Sequence, residues 1–101
     1  MAYQMVIEIK GDSLKDSTNV LDQSKADGQT AIDVFNKYVA NDWITEYNRK
    51  DITETHVEDT IVFVSKEKRE EFRAELHAIH GGDTSKIATM DTLEIKEEGE
   101  V

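Results

Sequence analysis

Residues 30–50 contain a row of apolar side chains at every fourth position, and this row limits most strongly how the chain can fold. Side chains four positions apart lie on the same side of an α-helix. Thr30 and Asp33 have the spacing of a capping box at the start of such a helix, with Asp in place of the usual Glu. The pattern therefore predicts one long helix over residues 30–50 at the centre of the fold. The row consists of Ala31, Phe35, Val39, Trp43 and Tyr47.

The row also drifts around the helix axis, because four residues advance the helix by about 400°. Trp43 and Tyr47 therefore point away from the residues at the start of the row. Two interpretations are open: the helix wraps around a curved core, or it breaks near Asn41 and Asp42. In the second case Trp43 and Tyr47 belong to an aromatic surface patch, and these residue types are frequent anchors of protein interfaces.

Three other stretches have the composition of β-strands. Residues 3–9 alternate between apolar and polar side chains, as a half-buried strand does. Residues 60–64 are apolar on both faces, which predicts a central strand. Residues 87–96 alternate again, and the core of this last strand is predicted at residues 92–96.

A second helix is predicted over residues 66–80, with Ser65 as its N-cap and Gly81 at its C-terminal end. Residues 11–29 are polar and predict a long loop. These elements together predict an α+β fold, a small β-α-β-α-β sandwich. In it, a three-stranded sheet carries two helices on one face, and the long loop follows strand 1.

The length of 101 residues suits one hydrophobic core. We expect a single globular domain over residues 1–96 and a flexible acidic tail over residues 97–101. The sequence has no apolar run long enough to cross a membrane and no secretion signal, so a cytoplasmic location is expected, in the host cytoplasm if the protein is phage-encoded. Because cysteine is absent, disulfide and thiolate chemistry are excluded.

The chain has three histidines, His56, His77 and His80. His77 and His80 are predicted near a helix end, where the helix dipole favours imidazole. His56 precedes Glu58 and Asp59, but no nucleophile elbow, phosphate loop or paired metal-binding motif accompanies these residues. We therefore expect no catalytic residue, no metal and no cofactor, and hence a non-enzymatic protein.

The chain carries 22 acidic and 12 basic side chains, a net charge of −10. This excess disfavours direct binding to nucleic acid or to an anionic membrane, since both need clustered Lys and Arg. It favours a protein partner with a basic surface. The candidate partner-binding residues combine aromatic anchors with carboxylates. They are Trp43 and Tyr47, then Asp12, Asp16 and Asp22 in the loop, and Asp51, Glu54, Glu58 and Asp59.

In size, acidity and lack of catalytic motifs, the chain is similar to the small acidic inhibitors that mimic nucleic acid and that phages encode against host defences. This similarity implies an inhibitor or adaptor that binds a basic surface of a partner, such as a nucleic-acid-binding surface. Two alternatives stay open. One is a homo-oligomeric assembly module, such as a dimer, that covers open sheet edges. The other is a small-ligand-binding protein in which the loop over residues 11–29 acts as a lid.

Overall fold

The computed structural model describes residues 1–11, 21–88, 90 and 92–101. The described residues form four strands, two α-helices and a short 3-10 helix, so the predicted α+β class is confirmed. In chain order the elements are β1 (Tyr3–Lys10), α1 (Gly28–Ala40), β2 (Ile44–Thr53), β3 (His56–Phe63), α2 (Lys66–His80), the 3-10 helix (Thr84–Lys86) and β4 (Thr92–Glu100).

The strands form one antiparallel sheet in the order β2-β3-β1-β4. The prediction of a three-stranded sheet is wrong by one strand, because the sequence pattern assigns β2 to a helix. The element order β-α-β-β-α-β is that of ferredoxin-like folds. Tyr38 of α1 and Phe72 of α2 belong to the same core cluster as Phe63 of β3. Both helices therefore lie on one face of the sheet, as predicted.

Helix α1 ends at Ala40, well before residue 50. Asp42 follows with a φ of 59°, in the left-handed region. The N–H of Trp43 donates to the Tyr38 carbonyl at 2.9 Å, as in a Schellman motif, and the two rings supply the apolar contact of that motif with centroids 5.0 Å apart. Of the two interpretations open from the sequence, the break near residues 41–42 is thus the observed one.

The helix predicted over residues 44–50 is wrong, because this stretch forms the first part of β2. A bulge after Ile44 lets both Ile44 and Tyr47 reach the helix-covered side of the sheet although they are three positions apart. The spacing of four between Trp43 and Tyr47 is also a multiple of the strand period of two. The row of apolar residues therefore fits a strand here as well as it fits a helix.

The main core lies between the sheet and the two helices. Phe63 and Val57 of β3 are fully buried in it, which agrees with the prediction of a central strand near residues 60–64. A smaller cluster joins α1 to the segment before β4. The main cluster is Met5, Ile7, Ile9, Tyr38, Ile44, Val57, Ile61, Phe63 and Phe72, and the smaller one is Ala31, Ile87 and Ala88.

The predicted loop over residues 11–29 is described in part. Residues 23–27 form turns, and Leu21 makes an isolated antiparallel bridge with Ala88. Residues 12–20 lie outside the described residues, so the role of the loop as a lid stays a prediction.

Gly28 starts α1 at a close approach to the preceding segment. A Cβ atom at this position would overlap the carbonyl oxygen of Asp22. The Asp22 N–H in turn donates to the carbonyl of Ile87 at 2.8 Å. The entry into α1 is therefore fixed against the segment before β4, and it requires glycine.

Strand β4 pairs with β1 along its length. The predicted acidic tail begins at residue 97, where β4 continues to Glu100. The Tyr3 hydroxyl donates to Glu98 Oε1 at 2.6 Å, and Arg69 Nε lies 3.0 Å from the same oxygen. These partners on β1 and α2 offset the charge of an acidic residue within the strand.

Candidate functional site

A cavity of about 290 Å³ lies between α2 and the sheet. Its walls come from all four strands, both helices and the segment between α2 and β4. Most of the lining side chains are apolar, and its size is near the lower end of the range for small-molecule sites. The apolar lining side chains include Ile7 and Ile9 of β1, Phe72 and Leu76 of α2, and Leu93 and Ile95 of β4.

The cavity follows from the side chains that α2 presents toward β4. Arg69, Arg73 and His77 occur four positions apart, so they share one side of the helix, and all three line the cavity. Arg side chains carry their head groups toward water and His is polar, so these three positions of α2 add no large apolar group to fill the space. Leu93 and Ile95 consequently remain 43% and 46% exposed although they lie on the core side of β4.

One corner of the cavity is polar, and its charge is paired within the protein. Asp59 and Tyr47 line this corner. Arg49 donates from Nε to Asp59 Oδ1 at 2.8 Å and from Nη2 to Oδ2 at 2.9 Å. The Tyr47 hydroxyl donates to Oδ2 at 3.1 Å and accepts from Arg49 Nη2 at 3.0 Å. The Arg49 and Asp59 side chains are 9% and 4% exposed, so this is a buried ion pair whose bidentate geometry compensates desolvation.

The Tyr47 hydroxyl stays protonated in this environment. Burial raises the pKa of Tyr47 above its ordinary value, and the neighbouring charge of Asp59 raises it further. A protonated hydroxyl keeps donating to Asp59, so Tyr47 and Asp59 form a fixed polar part of the cavity wall.

The α2 side of the cavity is basic. Arg69 is held by Glu98, with 3.0 Å between Nε and Oε1. Arg73 is exposed and forms no ion pair or hydrogen bond with any residue that the structure describes. Arg73 therefore presents an uncompensated positive charge beside an apolar cavity.

His80 is buried at the end of α2 and lines the same cavity. Its Nδ1 accepts a hydrogen bond from the Gly82 N–H at 3.0 Å, so in the neutral ring the proton resides on Nε2. The rings of His77 and His80 have centroids 5.9 Å apart. Within the described part of the chain, no group of three His, Asp or Glu side chains could hold a metal ion.

The two aromatic residues predicted as partner anchors pack against the main core, and both are half-buried. The Lys68 Nζ lies 4.1 Å from the centroid of the Trp43 ring. Tyr47 meets Phe35 edge to face, with centroids 5.2 Å apart. Their role as partner anchors stays a prediction.

The predicted partner-binding carboxylates of β2 and β3 lie on different surfaces. Asp51 and Glu54 are exposed at the end of β2 and in the following turn. Glu58 lies on the sheet face opposite the helices and pairs with Lys96 Nζ at 3.0 Å. Its neighbour Asp59 faces the helices and is buried.

The predicted partner-binding carboxylates of the loop are described in part. The Asp22 carboxylate accepts hydrogen bonds from the N–H and the hydroxyl of Ser24, at 2.8 Å and 2.7 Å. Asp12 and Asp16 lie outside the described residues. Binding of a basic partner by these carboxylates stays a prediction.

The sequence analysis missed the basic row on α2 as part of a site. The signal is present, since Arg69, Arg73 and His77 have a regular spacing of four. The apolar walls, however, come from β1 and β4, and their position beneath α2 depends on the order of strands in the sheet. Spacing along one helix could not reveal this juxtaposition.

No described helix is long and apolar enough to span a membrane. Comparisons with protein-family models, curated proteins and solved structures give no match to this chain.

Proposed function

We propose that this protein binds a small, largely apolar ligand in the cavity between α2 and the sheet. The observation that carries the proposal is the cavity itself, about 290 Å³ in volume and lined mainly by apolar side chains. Protein interiors are close-packed and contain few voids larger than a water molecule. The walls of such a void lack partner atoms, and an apolar ligand would supply them.

The exposed rim of the cavity supports the same proposal. Leu93 and Ile95 are nearly half exposed on the core side of β4. Covering such surface is favourable by about 25 cal/mol per Å². A ligand would also leave the polar corner intact, because Arg49 and Asp59 already satisfy one another.

Binding of a neutral fluorescent dye, N-phenyl-1-naphthylamine, tests this proposal. We expect its fluorescence to rise with the unmodified protein, because the dye leaves water for an apolar site. Leu93→Trp places an indole in the cavity and should weaken dye binding by about tenfold or more. The corresponding loss of binding free energy is similar to that of exposing one well-buried apolar side chain.

Ile52→Trp is the matched control for this experiment. Ile52 and Leu93 are both 43% exposed and both lie in edge strands, but Ile52 does not line the cavity. Dye binding should survive this substitution. The proposal fails if the unmodified protein does not bind the dye, or if both variants weaken binding equally.

A second candidate is the inhibitor or adaptor that binds a basic surface. The observation that favours it is the glutamate-rich edge strand β4, with Glu94, Glu97, Glu98 and Glu100. Charged side chains also guard an edge strand against pairing with another chain. They therefore favour an electrostatic partner over a dimer formed by strand addition.

Salt dependence separates this candidate from an apolar interface. A partner held by exposed glutamates should dissociate as salt rises well above about 0.15 M, where the Debye length is ~8 Å. A complex that survives molar salt would exclude the electrostatic candidate. Light scattering coupled to size exclusion would report the homodimer alternative directly.

A further inference from the structure

Resting on the proposed function, we infer that the ligand is an unbranched carboxylate chain of about ten carbons, with its carboxylate at Arg73 and its tail in the cavity. The inference combines the shape of the cavity, the charge at its rim and the pairing of the nearby acidic groups. Each of these is independent of the others.

The shape of the cavity suits a chain better than a compact molecule. Tyr47 of β2 and Ile95 of β4 both line it, and these are the two edge strands of the sheet. Three strand spacings separate them, which is ~14 Å at ~4.8 Å per spacing. The cavity thus extends across the sheet, and its volume of about 290 Å³ suits an elongated ligand better than a compact one. At ~30 Å³ for each group the size of a water molecule, the cavity holds roughly ten methylene-sized groups.

The charge at the rim selects an anion. Arg69, Arg73 and His77 follow one another along α2 with a rise of ~6 Å per step. Arg69 is neutralised by Glu98. Arg73 has no ion-pair or hydrogen-bond partner in the described part of the chain. Its guanidinium is therefore available to a ligand.

The acidic groups nearest this rim leave Arg73 uncompensated. Asp59, which lines the far corner of the cavity, is bound by Arg49 through both of its oxygens. Glu70 has the spacing of an ion pair with Arg73 on α2, but the two side chains form no such contact. Repulsion from exposed carboxylates further away is screened over about 8 Å at physiological ionic strength.

A carboxylate is the head group that fits this arrangement. A guanidinium offers paired N–H donors whose geometry matches the two oxygens of a carboxylate. The long side chain of Arg73 also lets its head group reach the mouth of the cavity from an exposed position. A neutral alcohol of the same length would bury the same tail but would gain no ion pair.

Isothermal titration of decanoate and decanol at neutral pH tests the inference. We expect the unmodified protein to bind decanoate about tenfold more tightly than decanol or better, the effect of a charge-assisted hydrogen-bond pair. Arg73→Gln should abolish this preference, because the loss of affinity falls mainly on decanoate. Lys66→Gln is the matched control, because it removes the same charge from α2 at an exposed position that does not line the cavity. The preference for decanoate should survive there.

The outcomes separate this inference from the proposal beneath it. Equal affinities for decanol and decanoate, or an equal loss of both in Arg73→Gln, overturn the carboxylate inference and leave the apolar site standing. Absence of binding by both compounds and by the neutral dye overturns the proposed function, and the inference falls with it.

Discussion

The helix-covered face of the sheet is filled by aromatic rings toward α1 and left open toward β4. Around Phe72, the rings of Phe35, Tyr38 and Phe63 lie with centroids 6.3, 5.1 and 5.6 Å away. Strand β4 carries no aromatic residue, and a cavity of about 290 Å³ borders it. The sheet supplies aliphatic side chains to both regions, and it adds Phe63 to the aromatic one. The aromatic side chains of α1, α2 and β3 therefore decide where this core is closed.

Truncation of one residue on each side should give the largest contrast. Phe63→Ala should lower the free energy of unfolding by about 4 kcal/mol, because Phe63 is fully buried among aromatic rings. Ile95→Ala should cost about 1 kcal/mol, because nearly half of Ile95 is already in contact with water. Urea unfolding followed by the fluorescence of Trp43 measures both. Equal costs for the two variants would mean that the cavity side is packed as well as the aromatic side.

The ion pair in the polar corner provides the next largest effect. Asp59→Asn keeps the size of the side chain but removes the negative charge that pairs with the buried guanidinium of Arg49, so stability should fall by about 3 kcal/mol. The double variant Arg49→Met with Asp59→Leu should lose less, because it leaves no buried charge unpaired. Urea unfolding of the two variants makes the comparison. A double variant that is less stable than Asp59→Asn would contradict this account.

The elements with local signals could be predicted from the sequence. Helix α2 begins after Ser65, whose hydroxyl accepts from the Lys68 N–H at 3.3 Å, and ends at Gly81 with a φ of 62°. Both are properties of single residues, so a sequence displays them. The first strand and the two-helix α+β class were also predictable, because they follow from the local spacing of apolar residues.

Spacing alone could not predict that residues 44–50 form a strand, because a repeat of four fits both a helix and a strand. The deciding features are the left-handed Asp42 and the pairing of β2 with β3, and the pairing joins residues distant in sequence. The candidate site also depends on residues that are distant in sequence. Its basic rim lies within α2, whereas its walls at Leu93 and Ile95 are brought there by the sheet.

The smallest predicted effect concerns Tyr47, which packs on the aromatic side and also lines the cavity. Tyr47→Phe should cost about 1 kcal/mol at neutral pH, because it removes the hydrogen bonds to Asp59 and from Arg49. The pKa of Tyr47 is raised in the folded protein, first by burial and then by the charge of Asp59, so the folded state holds this proton more tightly than the unfolded state. The resulting stability is complete below the unfolded pKa near 10 and is lost as pH rises above it.

The difference in stability between the unmodified protein and Tyr47→Phe should therefore narrow as pH rises above about 10. Tyr3 and Tyr38 also have raised pKa values, and both are present in the two proteins, so their contributions cancel in the difference. Urea unfolding at a series of alkaline pH values measures that difference. A constant or widening difference in stability would show that the Tyr47 hydroxyl is in contact with water. The polar corner of the cavity would then be open, although the buried side chains of Arg49 and Asp59 require it to be closed.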